Sequence, residues 1–148
     1  MGRVLGVVIV LLFGFSCFAQ SRDASFSKDG SKIVYVSKVA GKNQIFLMNK
    51  DGSNKKQLTK TPFSNYYPFI SPDGTKILFM SLPKEKTVIT TISIDGSNLK
   101  FLTDENKENA DPHWSPDGSK IVFNTHRDGN NEIYLMDSDG TNPKRLTH

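Results

Sequence analysis

Three short motifs recur along this chain at a single interval. Asp29-Gly30, Asp73-Gly74 and Asp117-Gly118 stand 44 residues apart. Asp51-Gly52, Asp95-Gly96 and Asp139-Gly140 keep the same spacing, as do Leu58-Thr59, Leu102-Thr103 and Leu146-Thr147. Three independent markers in one ungapped register define three copies of a unit, over about residues 23–60, 67–104 and 111–148. A self-similar unit cannot bury its apolar residues alone and must stack on its neighbours.

The last copy shows what the unit is made of. Ala110 to Trp114 reads as a first short strand, ended by the turn Ser115-Pro116-Asp117-Gly118. Proline presets φ there, aspartate bonds nearby backbone, and glycine accepts the left-handed conformation that follows. Lys120 to Thr125 reads as the second strand, whose continuous run Ile121-Val122-Phe123 predicts cover on both faces. Arg127 to Asn131 is a polar loop, Glu132 to Asp137 a third strand, and Pro143 to Thr147 a fourth after the Asp139-Gly140 turn. Four strands in a period of this length are the pattern of a propeller blade. The predicted fold class is therefore all-β: β-propeller repeats in three four-stranded antiparallel blades, forming a partial or open propeller. Lys55, Lys56, Lys100, Lys144 and Arg145 cluster on the fourth strands, where basic residues discourage edge-to-edge pairing.

Residues 1–19 are different material. Arg3 supplies a positive charge, Val4 to Phe15 is apolar apart from two glycines, and Cys17-Phe18-Ala19 is a small-x-small site. This order is that of a secretory signal peptide, with cleavage expected after Ala19. The apolar run is shorter than the roughly 20 residues of a spanning helix, so no membrane insertion is expected after cleavage. Cys17 is the only cysteine, and Gly14 stands where lipid-attachment sites usually carry leucine, so lipidation is the lesser expectation. The formal charge of +4 is mild, and its basic residues are scattered among acids. That pattern suits a solvated surface and not a nucleic-acid stripe.

Pro112-His113-Trp114-Ser115-Pro116-Asp117-Gly118, followed by Glu132-Ile133-Tyr134-Leu135-Met136 and Arg145-Leu146-Thr147, resembles the β-propeller repeat of the TolB family. The resemblance implies a non-catalytic module mediating protein–protein interaction in the bacterial periplasm or cell envelope, with a protein partner there. The same repeat builds the gating propellers of prolyl-oligopeptidase-type serine peptidases. A partial propeller whose catalytic domain lies outside this chain is therefore the alternative. The propeller of the TolB protein is six-bladed, and closed propellers have about four to eight blades. Three repeats leave three outcomes open: a longer product, a homodimer of three plus three blades, or an open array.

No serine lies in a Gly-x-Ser-x-Gly elbow, and no cluster of ligands has metal-binding spacing, so neither catalytic residues, nor a metal, nor any other cofactor is expected. Asp137-Ser138-Asp139-Gly140 lacks the further acids of a calcium loop and reads as a turn. Trp114, with Phe26 and Ile70 at the matching positions, reads as core between blades. The residues left over for partner binding are the non-repeated polar ones near one end of the third copy: Asp111, His113, His126, Arg127 and Asp128. First strands line a propeller's channel and these loops rim it, where binding is usually built.

Overall fold

A computed structural model describes residues 22–148; the expected signal peptide, its expected cleavage after Ala19 and Cys17 lie outside the described residues. The described chain is all-β. Its first sheet comprises β1 (Arg22–Phe26), β2 (Lys32–Val39), β3 (Lys42–Asn49) and β4 (Lys56–Gln57). The second comprises β5 (Ser64–Ile70), β6 (Lys76–Leu82), β7 (Val88–Ser93) and β8 (Lys100–Phe101). The third comprises β9 (Asn109–Trp114), β10 (Lys120–Thr125), β11 (Glu132–Asp137) and β12 (Lys144–Arg145). Each is a four-stranded antiparallel meander with strands in chain order.

The repeated motifs are the joints of these sheets. In the β1–β2 turn, Ser27 Oγ donates to Asp29 Oδ1 at 2.6 Å and accepts from the Lys32 amide at 2.9 Å, while the Gly30 amide donates to the Ser27 carbonyl at 2.9 Å. Ser71-Asp73-Gly74 and Ser115-Asp117-Gly118 repeat this arrangement. These exposed carboxylates sit well below their ordinary range, because the serine hydroxyls and following amides donate to the charged form. Asp29 and Asp117 are each lowered to about 2. The Leu-Thr pair finishes each blade. Leu58 donates its amide to the Ile45 carbonyl at 2.8 Å, and Thr59 Oγ1 accepts from the Ile45 amide at 2.8 Å. Leu102-Thr103 with Ile89, and Leu146-Thr147 with Ile133, do the same. The threonine hydroxyl replaces a strand carbonyl, which is why the ordered fourth strand spans only two residues in every blade and not the longer Pro143–Thr147 segment predicted for the third.

Blades stack through two apolar cores. In the first, Val34, Val36, Ile45, Leu47 and Leu58 meet Ile70, Ile77, Phe79 and Ile92. In the second, Leu78, Met80 and Ile89 meet Ile121, Phe123, Tyr134 and Met136. The middle blade is thus covered on both faces, and its strand β7 is buried along almost its whole length. The third blade is covered on one face only. Val122 is half-buried in place of the predicted two-sided burial. Trp114 likewise lies half-buried at the margin of the second core, its indole N–H donating to the Phe69 carbonyl at 3.4 Å.

The fourth-strand lysines do more than guard an edge. Lys56 Nζ donates to the Asp95 carbonyl at 2.7 Å, and Lys100 Nζ to the Asp139 carbonyl at 2.9 Å. Each reaches across to the next blade and ties it down. The blades converge along their first strands: β1 touches β5 and β5 touches β9, whereas no fourth strand touches another. β1 and β9 do not touch, so the described arc is not a closed ring.

Candidate functional site

Convergence makes the first strands the inner edge of the arc, and each of them carries the same irregularity. The register shifts beside Asp23 in β1, Tyr67 in β5 and Asp111 in β9. At these three positions φ is +50°, +51° and +49°. A bulge of this kind re-aims a side chain and is found preferentially beside functional sites. Aspartate tolerates the left-handed region; a bulky aromatic residue there is an outlier held by its surroundings. Pro68 and Pro112 follow two of the bulges, where a residue without an amide hydrogen leaves no donor orphaned.

Tyr67 is 48% exposed, its ring 6.5 Å from that of Tyr66. Beside it the rings of Phe69 and His113 lie 4.7 Å apart, joining the second and third blades on this edge. Ser25 Oγ donates to the Pro68 carbonyl at 2.7 Å and joins the first and second. Asp111 is exposed, accepting from Asn124 Nδ2 at 3.1 Å. The inner edge therefore presents two carboxylates, a tyrosine and an imidazole packed at a tilt against a phenyl ring. Tyr67 and Asp23 are the members missed from sequence. The signal was present in the register: positions 23, 67 and 111 are 44 residues apart, with proline after two of them.

The structure divides the five residues singled out from sequence. Asp111 and His113 share the edge of β9. His126 is exposed and opens a cleft of about 270 Å³ with Glu108, Ala110, Asn124, Thr125 and Asn131, adjoining Asp111 through Asn124. Arg127 turns the other way. Its guanidinium carbon lies 4.6 Å from the Tyr134 ring centroid and 5.5 Å from that of Phe123, and Nη2 reaches Asn109 Oδ1 at 3.4 Å. Asp128 accepts from the Tyr134 hydroxyl and lies 3.5 Å from Arg145 Nη1. That bond, with burial, raises the tyrosine's pKa. Arg145 also pairs with the buried Glu132 at 2.6 Å. The Thr147 hydroxyl, with Arg145, holds the Glu132 carboxyl below its usual range. Arg127 and Asp128 are thus engaged in bracing the β10–β11 loop.

The turn serines Ser27, Ser71 and Ser115 all donate to aspartates two residues on. Among the described residues, no three His, Cys, Asp or Glu side chains gather as a metal site. No helix among them is long and apolar enough to cross a membrane.

Repeated four-stranded blades meeting along their first strands define a propeller-type repeat protein. The model of the TolB beta propeller domain matches residues 16–147, and the chain belongs to that family. A solved structure described as TolB from Agrobacterium tumefaciens shares 31% identity at a TM-score of 0.78, over 88% of this chain and 48% of its own. TolB from Acinetobacter baumannii shares 25% at a TM-score of 0.73, over 88% and 33%. This chain thus spans about half the length of the first and a third of the second. A puromycin-hydrolyzing peptidase from Mycobacterium tuberculosis matches at a TM-score of 0.73 with 17% identity, over 88% of this chain and 24% of its own, a likeness of fold alone. No curated protein sequence matches.

Proposed function

We propose that this chain is a non-catalytic propeller module of the bacterial periplasm or cell envelope that binds a protein segment along its inner edge. One observation carries the reading. Tyr67 is held in a conformation that costs a bulky residue about 1–3 kcal/mol, yet it is half-exposed and packs little. Strain without a packing return suits a residue selected for contact. Asp23 and Asp111 occupy the matching bulges, and Asp111 and His113 lie on the next blade along this edge. Acids around an aromatic platform fit an extended segment carrying lysine or arginine beside an apolar side chain. His126 and its cleft extend the surface, and Arg127 and Asp128 hold the loop that carries it. The charged, apolar and small-residue order of residues 1–19 supports export. The peptidase likeness lends this chain no catalytic residue, so the gating-propeller reading stands on fold alone.

A photo-reactive phenylalanine analogue placed at position 67 or 113, in cells of a Gram-negative host making the full chain, tests this. A discrete protein adduct from both positions, lost on Asp111→Lys and missing when the analogue replaces Lys55 on the outer edge, is expected. No adduct from 67 and 113, or the same adduct from 55, overturns the reading.

A further inference from the structure

The two internal blade junctions share a frame. Leu58 sits over Gly96 at the first, and Leu102 over Gly140 at the second. Beside each pair, Lys56 or Lys100 bonds the carbonyl of the aspartate preceding that glycine. What surrounds the frame differs in chemistry. The chain leaves the first blade through Phe63, whose carbonyl accepts from Gln44 Nε2 at 3.1 Å and whose ring lies 6.0 Å from that of Phe101 in the second blade. Pro83 stands in the β6–β7 loop. The residues 44 positions further on are Lys107 and Arg127. Two apolar groups give way to two cations.

With that change the second junction holds a cleft of about 230 Å³, whose lining includes Leu102, Asp104, Lys107, Arg127, Met136 and Pro143. It lies beside the fourth strands, between Leu102 after β8 and Pro143 before β12, and takes in no residue of the inner edge. Arg127 is set in place by the Tyr134 ring, 4.6 Å from its guanidinium carbon. Its Nε and Nη2 each give a hydrogen, to Thr125 Oγ1 and Asn109 Oδ1, both at 3.4 Å. Nη1 and the second Nη2 hydrogen remain. Among the described residues, neither Lys107 nor Arg127 pairs with a carboxylate. Asp104 is the one acid in the lining, and its Oδ1 accepts from the amide and Nδ2 of Asn106, both at 2.9 Å. The Asn106 amide above all, then the Asn106 side chain, Lys107 and Arg127, hold that carboxyl below its usual range. Two cations against one anion leave the cleft positive.

We propose that this cleft binds a single carboxylate carried on a short apolar body. A guanidinium matches a carboxylate through two parallel N–H donors, and lysine adds a point charge. Inorganic phosphate would satisfy the cations and leave Leu102, Met136 and Pro143 uncovered, whereas a hydrocarbon stem uses both halves of the lining. The volume falls below the roughly 300–1,000 Å³ of sites for drug-sized ligands. The occupant is therefore a small free acid or the terminal residue of a chain.

Titration of the isotope-labelled full chain with hexanoate and with N-acetyl-leucine tests this, read by NMR at the Met136 methyl and the Arg127 Nε–H. Hexanoate stands for a free acid and N-acetyl-leucine for a chain terminus. A saturable shift of both signals is expected from at least one of them, and the tighter binder names the source. Hexanamide and N-acetyl-leucinamide should bind at least about tenfold more weakly, since they lack the charge. Lys107→Phe, which restores the residue of the first junction, should abolish the shifts with an unchanged far-ultraviolet β-signal, and Lys107→Arg should keep them. Lys107 is exposed, so neither change disturbs the blade. No saturable shift from either acid, amides or inorganic phosphate binding as tightly as the acids, or undiminished binding in Lys107→Phe overturns the inference.

Discussion

Phe79 lies at the centre of the first junction, fully buried between Val34, Val36 and Ile45 of one blade and its own blade's Ile77 and Ile92. Replacing it with alanine removes the transfer free energy of a buried phenyl group, about 1.5–3 kcal/mol. The space left behind cannot collapse easily, because a rigid sheet stands on either side; the cavity brings the total to about 3–5 kcal/mol. Domain stabilities are about 5–15 kcal/mol, so this is a large share. Phe101 is the matched control: 36% exposed on the outer strand β8, with its ring 6.0 Å from Phe63. Phe101→Ala should cost no more than about 1 kcal/mol. Urea unfolding followed by circular dichroism reads both, as shifts in midpoint at constant slope. If Phe79→Ala costs no more than Phe101→Ala, the blades are not held together by this core.

Gly140→Ala should be destabilising by at least about 2 kcal/mol, since it combines φ of +91° with a 2.9 Å approach to the Leu102 carbonyl; thermal unfolding measures it. Asp29 and Asp117, lowered to about 2, lend stability that is fully present above the unfolded value near 3.8. That stability is lost as pH falls through about 2, so unfolding midpoints should drop between pH 4 and 2, and Ser27→Ala or Ser115→Ala should move the corresponding carboxyl titration, followed by NMR, upward. Tyr67→Asn should leave the fold as stable or up to about 1 kcal/mol more stable, the left-handed backbone being easier for asparagine, while removing partner contact. A clear loss of stability on that change would mean that Tyr67 is there for packing.

What was legible in the sequence was whatever the repeat encodes locally. The Ser-x-Asp-Gly turns, the second Asp-Gly turns and the Leu-Thr pairs are contacts within a few residues or across one hairpin, and they lie where the pattern puts them. The strands Lys120–Thr125 and Glu132–Asp137 follow from the apolar runs lying between those turns. Less was legible where the determinant is a neighbouring blade. Val122 sits in an apolar run like Leu78, yet only Leu78 is covered on both sides, because a blade follows it. Lys56 and Lys100 read as edge guards, since nothing local says that a carbonyl of the next blade lies within reach. The candidate site was half legible. Asp111 and His113 stand out as polar residues on a first strand, but Tyr67 looks like any strand tyrosine until its φ is known. Arg127 and Asp128 look free in a polar loop, and their engagement with Tyr134, Phe123 and Arg145 depends on side chains brought in from other strands.

The blades hold one another through their faces, and Trp114 offers a direct view of that. It is the chain's single tryptophan and lies at the margin of the second junction, so its fluorescence reports on that junction alone. Far-ultraviolet circular dichroism reports on all twelve described strands together. Followed together through a urea titration, the two signals should trace one transition with a common midpoint, as mutually dependent blades require. Separate midpoints, with the tryptophan signal lost while most β-structure persists, would show blades that stand without their neighbours and would contradict the account.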